Sequence, residues 1–285
     1  MRGLVLGGGG VAGISWTTGL LHGLAEHGVD LPGTADRVLG TSAGATVAAQ
    51  LASGLPLAEL YRRQTEPDLQ NHELVPPAEA LPALFETIGK LLAEIADPAE
   101  LRRRIGRIAL DADTVPAADR LAVIAARLPG RDWPAWPLTL TAVDAESGEL
   151  RTFDRDSGVP LLDAVAASCA VPGIWPVVGI DGHRYMDGGA RSANNADLMT
   201  GQQAVLVLAP MADPPPAFGR GYPLLDAELD ALRATGRALA VGPDEDAQAA
   251  FGANPLDPAV RTPSAEAGRA QAARVAEQVR ALWAV

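Results

Sequence analysis

The chain has 285 residues, a formal net charge of −12 and 48% hydrophobic residues. The negative charge argues against nucleic acid as a partner and against electrostatic docking on an anionic membrane. The hydrophobic share supports a sizeable core, and a single cysteine, Cys169, rules out an internal disulfide and a multi-cysteine metal site.

Leu4-Val5-Leu6 reads as a buried first strand, Gly7 to Gly10 as a turn, and the following segment as a helix. Ile14, Leu21, Leu24 and Ala25 share one face of that helix, and Gly28 stands at its C-cap. Arg37 to Leu39 makes a second strand, and Ala43 to Ser53 a second helix stopped by Gly54. The order strand, helix, strand, helix predicts a parallel sheet between helix layers. The opening residues do not read as a signal peptide, because four consecutive glycines interrupt the apolar stretch and no cleavage site follows. The uncharged run from Ala164 to Ile180 is too short, and too broken by Pro172 and Pro176, to span a bilayer. The expectation is a soluble, cytoplasmic protein with no integral membrane segment.

Residues 56–130 carry a helical pattern rich in charge. Leu81, Leu84, Phe85, Ile88, Leu91, Leu92 and Ile95 form one stripe, and Leu101, Ile105 and Ile108 another. This region reads either as further core-facing helices or as a cap-like insertion between Pro76-Pro77 and Pro134 to Pro137. Strands resume at Leu138 to Asp144 and Leu150 to Phe153, and Pro160 to Ser168 reads as a helix. Asp181-Gly182 marks a hairpin between Val177 to Ile180 and His183 to Met186. Ala204 to Leu208 is another buried strand, and Leu224 to Thr235 a helix capped by Gly236. An amphipathic helix over residues 262–285 starts at Thr262-Pro263 and docks through Ala272, Val275, Val279 and Leu282. With no repeat or long linker, residues 1–285 read as one domain.

Gly40-Thr41-Ser42-Ala43-Gly44 is a G-x-S-x-G pentapeptide between a strand and a helix. Such a serine must turn sharply, and the flanking glycines Gly40 and Gly44 leave its hydroxyl exposed above the sheet as a candidate nucleophile. Gly8-Gly9-Gly10-Val11-Ala12-Gly13 fits G-x-G-x-x-G after a strand, which suits a dinucleotide pyrophosphate. The same amides at a helix N-terminus suit a developing oxyanion. A dinucleotide fold wants an acid at the end of the second strand, and Gly40-Thr41-Ser42 stands there instead.

A serine nucleophile needs a proton acceptor. Of the four histidines, His22 and His27 lie on the first helix, His72 lies in a loop beside Asn71 and Glu73, and His183 lies in the hairpin just past Asp181-Gly182, so Asp187 is the better candidate. Asp187 in Met186-Asp187-Gly188-Gly189 ends a short apolar strand and has space around it. It reads either as a turn builder or as a base for Ser42. Cys169, in an apolar stretch, reads as a small buried hydrophobe.

The glycine turn, the Ser42 pentapeptide and Asp187-Gly188-Gly189, in this order, resemble a patatin-like phospholipase. So does Ala167-Ser168-Cys169-Ala170-Val171-Pro172-Gly173-Ile174-Trp175-Pro176, with Trp175 where that family usually has Phe. The resemblance implies a three-layer α/β/α sandwich with a mostly parallel central sheet, related to the α/β-hydrolases. It also implies a Ser–Asp dyad of Ser42 and Asp187, with Gly8, Gly9 and Gly10 as the oxyanion hole and Gly13, Gly40, Gly44, Gly188 and Gly189 in support. The reaction implied is hydrolysis of acyl esters of lipids, or of small esters, through an acyl-serine, with no metal and no cofactor. Gly7 and Ala12 depart from that family's D-G-G-G-x-[RK]-G pattern, which bears on whether the substrate is a phospholipid or a neutral ester. Two other functions fit parts of the chain: nucleotide binding at Gly8–Gly13, and non-catalytic lipid binding on a hydrolase scaffold.

Overall fold

The computed structural model describes residues 1–212 and 225–284. Strands β1 (Arg2–Leu6), β2 (Arg37–Thr41), β3 (Leu138–Asp144) and β4 (Leu150–Phe153) join β5 (Val178–Ile180), β6 (His183–Asp187), β7 (Ala204–Leu208) and β8 (Arg237–Val241) in one sheet. Its order is β5-β6-β3-β2-β1-β7-β8, with β4 also pairing with β3. The ladders from β3 through β2, β1 and β7 to β8 are parallel, while β4 and β6 both run antiparallel to β3.

The sheet is buried on both faces, which is why β1, β2 and β7 are continuous apolar runs. Side chains alternate between the faces. Leu4, Leu6, Val38 and Leu140 face a cluster with α1 (Gly10–Glu26), α2 (Ala43–Ala52), α7 (Leu161–Ser168) and α10 (Arg261–Trp283). Val5, Leu39, Val205 and Val207 face the other way, against Leu229 and Leu232 of α8 (Leu225–Arg233). Val143 and Met186 meet Leu84, Ile88, Leu101 and Ile105 of α4 (Ala80–Glu94) and α5 (Pro98–Asp111). The fold is therefore a mostly parallel sheet between two helix layers. The stripes read in residues 56–130 are core-facing on α4 and α5, and α3 (Leu57–Thr65) and α6 (Ala117–Arg127) complete that region.

Two elements escaped the sequence reading. β8 is Arg-Ala-Leu-Ala-Val, an edge strand without β-branched alternation, and α9 (Glu245–Phe251) is a short helix capped by Asp244, whose side chain accepts from Ala247 N. The last helix starts two residues earlier than Thr262 as N-cap and Pro263 as first helical residue imply. Val260 occupies its N-cap, and the Thr262 hydroxyl donates to Gln64 O at 3.2 Å instead of capping. Leu224 and Val285, expected at the edges of two helices, lie outside the described residues. The hairpin turn forms as expected, with φ of 51° at Asp181 and 83° at Gly182.

One ladder detail positions everything that follows. β4 overlaps β2 along β3 at Leu140 and Thr141, and overlaps β6 at Ala142 and Val143. A residue has one partner per edge, so β2 and β6 share the other edge of β3, running in opposite directions. Thr41 pairs with Thr141, and Asp187 pairs with the next residue, Ala142. The C-terminal ends of β2 and β6 thus meet head-on.

A buried ion cluster ties the helical region to the body. Glu73 accepts from Arg127 at 2.9 and 2.6 Å, from Arg261 at 2.7 Å and from Asn71 at 2.8 Å. Burial works to raise the Glu73 pKa, but the Arg127 charge and hydrogen bonds outweigh it and leave the carboxyl below its ordinary value. Its contribution to stability is therefore present above the unfolded pKa and lost as pH falls through the lower folded one. Glu73→Ala strands Arg127 and Arg261, and should destabilise by ~3–5 kcal/mol in urea unfolding at pH 7. A loss under about 1 kcal/mol would mean that water replaces the carboxylate.

Candidate active site

Ser42 sits between β2 and α2 with φ 54° and ψ −113°. A positive φ is strained for serine, and such strain collects where function requires it. Three neighbours impose the conformation. Ser42 N donates to Ser168 Oγ at 2.9 Å, and the Cys169 thiol donates to Ser42 O at 3.2 Å. Beneath the turn, Gly44 presses on β1 so closely that a Cβ would stand 1.9 Å from Leu6 O. Cys169 is buried as expected, but it also acts as a donor to the elbow.

Asp187 ends β6 and is 4% exposed. Its Oδ1 accepts from Gly189 N at 2.7 Å, so it does build the turn. Its Oδ2 is buried with no hydrogen-bond partner. Burial raises the carboxyl pKa to about 6, opposed chiefly by the nearby Ser42 hydroxyl, which favours the ionised form. Ser42 and Asp187 are thus neighbours, with the Ser42 hydroxyl close enough to favour the ionised carboxylate. The segment after α7 serves both residues, since Asp187 N donates to Ala170 O at 2.9 Å.

Asn195 locks the arrangement from below. Fully buried, with φ 52°, its side-chain amide donates to Thr41 Oγ1, Thr141 Oγ1, Gly188 O and Ser192 O at 3.2, 3.4, 3.2 and 2.8 Å. One side chain therefore joins the end of β2, the middle of β3 and the Gly188-Gly189 turn. Thr41, where a dinucleotide fold would carry its acid, is wholly buried and bonded to Thr141 at 2.8 Å.

The glycine turn lies over Ser42. Gly10 and Val11 line the same cleft as Ser42 and Ala43, and a Cβ built on Gly8 would lie 3.5 Å from that of Ser42. The Gly8 amide is engaged, donating to Ala193 O at 2.8 Å, and Gly13 N closes on Gly9 O at 2.8 Å. The amides of Gly9, Gly10, Val11 and Ala43 have no acceptor among the described residues. The N-termini of α1 and α2 thus converge beside the serine, a positive environment suited to an oxyanion. Gly40, the penultimate residue of β2, packs against the start of α2, and Gly188 sits against Thr141.

The histidines are elsewhere. His22 pairs with Glu26 at 3.6 Å, His183 meets Asp144 at 2.9 Å, and His27 and His72 are exposed. The cleft is narrow, with a volume of about 20 Å³, and its walls include Glu73, Arg120, Arg127 and Trp175. Sequence reasoning missed Arg120, which has no local motif, and Asn195, whose role depends on distant Thr41 and Thr141. Ser168 lay within the quoted Ala167–Pro176 segment without an assigned task. Among the described residues, no cluster of three or more His, Cys, Asp and Glu side chains is placed to hold a metal.

A strained serine elbow beside a buried carboxylate, on a mostly parallel sheet between helices, defines the class of serine-elbow α/β proteins. The chain belongs to the patatin-like phospholipase family, whose model matches residues 4–200. That membership makes it part of a lipid acyl hydrolase family. Among solved structures it is similar to VipD from Legionella pneumophila, at 15% identity and TM-score 0.46, over 97% of this chain and 67% of VipD. It is also similar to ExoU, solved with SpcU from the type III secretion system of Pseudomonas aeruginosa, at 19% identity and TM-score 0.43. That match covers 100% of this chain and 53% of ExoU, so the chain spans about half the length of that protein. No curated protein sequence matches significantly. No helix among the described residues is long and apolar enough to cross a membrane.

The raised Asp187 pKa has a consequence for stability. The folded state holds the proton more tightly, so stability is greatest below the ordinary 3.8 and falls as pH rises to about 6. Asp187→Asn removes that penalty and should stabilise the protein by up to about 3 kcal/mol at pH 8, with little change near pH 4. Thermal melts at both pH values check this, and an unchanged or lowered midpoint at pH 8 would refute it.

Proposed function

We propose that the chain is a serine acyl hydrolase that cleaves lipid acyl esters, including those of a phospholipase A substrate, through Ser42 and Asp187. The observation that carries this reading is the head-on meeting of β2 and β6, which sets a strained serine beside a buried carboxylate oxygen with no other partner. Ser42 Oγ attacks the ester carbonyl while Asp187 takes its proton. The carbonyl oxygen becomes an oxyanion, held by the unengaged amides of Gly9 and Gly10 and by that of Ala43. Asp187 returns the proton to the departing alcohol, leaving an acyl-serine. Water, deprotonated by Asp187, attacks the acyl carbon and releases the acid, and Asp187 reprotonates Ser42.

A carboxyl titrating at about 6 is a better base at neutral pH than an ordinary aspartate, yet remains ionised there. No cofactor takes part in these steps. We read residues 56–130 as a cap-like insertion, since Glu73, Leu74, Arg120 and Arg127 of that stretch help to wall the cleft.

The test is hydrolysis of p-nitrophenyl butyrate and labelling by a fluorophosphonate probe. Ser42→Ala and Asp187→Asn should each lower kcat/KM by at least about 10³-fold, and Ser42→Ala should abolish labelling. The wild-type kcat/KM should rise with pH through about 6 and then level off, because only the ionised carboxylate accepts the proton. Substantial hydrolysis by folded Ser42→Ala protein would remove that residue from the reaction.

A further inference from the structure

Arg120, on α6, is 7% exposed, yet its Nε and Nη1 are buried with no hydrogen-bond partner. Its guanidinium carbon stands 4.0 Å from the centroid of the Trp175 ring, and the side chain lines the cleft that holds Ser42. Stacking on Trp175 offsets only part of the cost of desolvating a cation. The acids nearby do not complete it. Glu73 is already taken by Arg127, Arg261 and Asn71, and no ion pair joins Arg120 to Asp187 among the described residues. Burial lowers the Arg120 pKa to about 10, which leaves the group charged at neutral pH. The glycine turn supplies no charge of its own, since Val11 and Ala12 are apolar.

A buried, unpaired guanidinium beside a nucleophile lacks an anion, and its planar fork suits a two-oxygen acceptor. We propose that Arg120 recognises the substrate, and that the ester cleaved at Ser42 carries an oxyanionic group, a phosphodiester or a carboxylate, close to its scissile acyl carbonyl. Arg120 also walls a second groove of about 240 Å³, with Leu121, Asp163, Ala166, Ala170, Pro176 and Val177, where an apolar part of such a substrate can lie. The inference rests on the acyl-hydrolase reading and specifies the substrate for it.

The experiment compares kcat/KM of wild type, Arg120→Met and Arg120→Lys on three hexanoyl esters. They are dihexanoylphosphatidylglycerol, hexanoylglycolate and neutral dihexanoylglycerol. Arg120→Met should lower the value for the phosphodiester or the carboxylate ester by roughly 10- to 100-fold. The loss on dihexanoylglycerol should be at least about 5-fold smaller, because it reports only the weaker effect of the Arg120 charge on Asp187, and Arg120→Lys should recover part of the loss on the anionic ester. The anionic ester that responds identifies the chemistry recognised. Equal losses on all three esters, or none on any, overturn the proposal. Fluorophosphonate labelling of Ser42 at the wild-type rate shows that the variant keeps its nucleophile.

If Arg120→Met does not fold, wild type alone decides. Glycerol phosphate or glycolate should inhibit dihexanoylglycerol hydrolysis competitively while glycerol does not, and inhibition by neither anion overturns the proposal. No hydrolysis of any ester together with no labelling overturns the hydrolase reading itself, and this inference with it.

Discussion

The site depends on the shared edge of β3. Thr41 and Asp187 end strands that approach from opposite directions and pair with consecutive residues, Thr141 and Ala142. The register leaves no room for either strand to continue. β2 must break into the Ser42 elbow, and β6 into the Gly188-Gly189 turn. Both chain reversals therefore fall at one point, and each delivers its polar side chain there. A slip of one residue in either ladder would turn the side chain to the other face of the sheet.

Buried polar groups hold that junction together. Asn195 bridges β2, β3 and the turn after Asp187, while Ser168, Cys169 and Ala170 bond the backbones of Ser42 and Asp187 from one short segment. Against this framework stand three unfavourable features around Ser42: its own positive φ, an unpartnered Asp187 Oδ2, and an unpaired Arg120. Each lowers stability, and such a concentration of unfavourable features is what a candidate functional site shows. Compensation comes from the Glu73 ion cluster beside them and, farther away, from the packing of α10 on α1, where Trp16 donates to Gln271 at 2.8 Å.

The family match ends at residue 200, after both Ser42 and Asp187. The remainder extends and braces the same body. β7 and β8 continue the parallel ladder from β1, and α10 supplies Arg261 to the ion cluster behind the cleft. Pro255 O receives the amide of Ala12 at 3.0 Å, so this later part of the chain also holds the start of α1.

Local patterning alone carried much of the architecture. Apolar runs located β1, β3 and β7, glycines located the elbow and the turns, and Asp181-Gly182 located the hairpin, because each depends on side chains close together in the chain. Ser42, Asp187 and the glycine turn were legible as separate motifs for the same reason. β8 was not, since an alanine-rich edge strand carries no distinctive period. The roles of Asn195 and Arg120 were not legible either. An asparagine becomes a clamp only when Thr41 and Thr141 are brought to it, and an arginine becomes an unmatched charge only when folding buries it beyond reach of a carboxylate. The sequence determined which groups were available; the order of strands along one edge of β3 decided which of them meet, because pairing between strands distant in the chain is a property of the whole sheet.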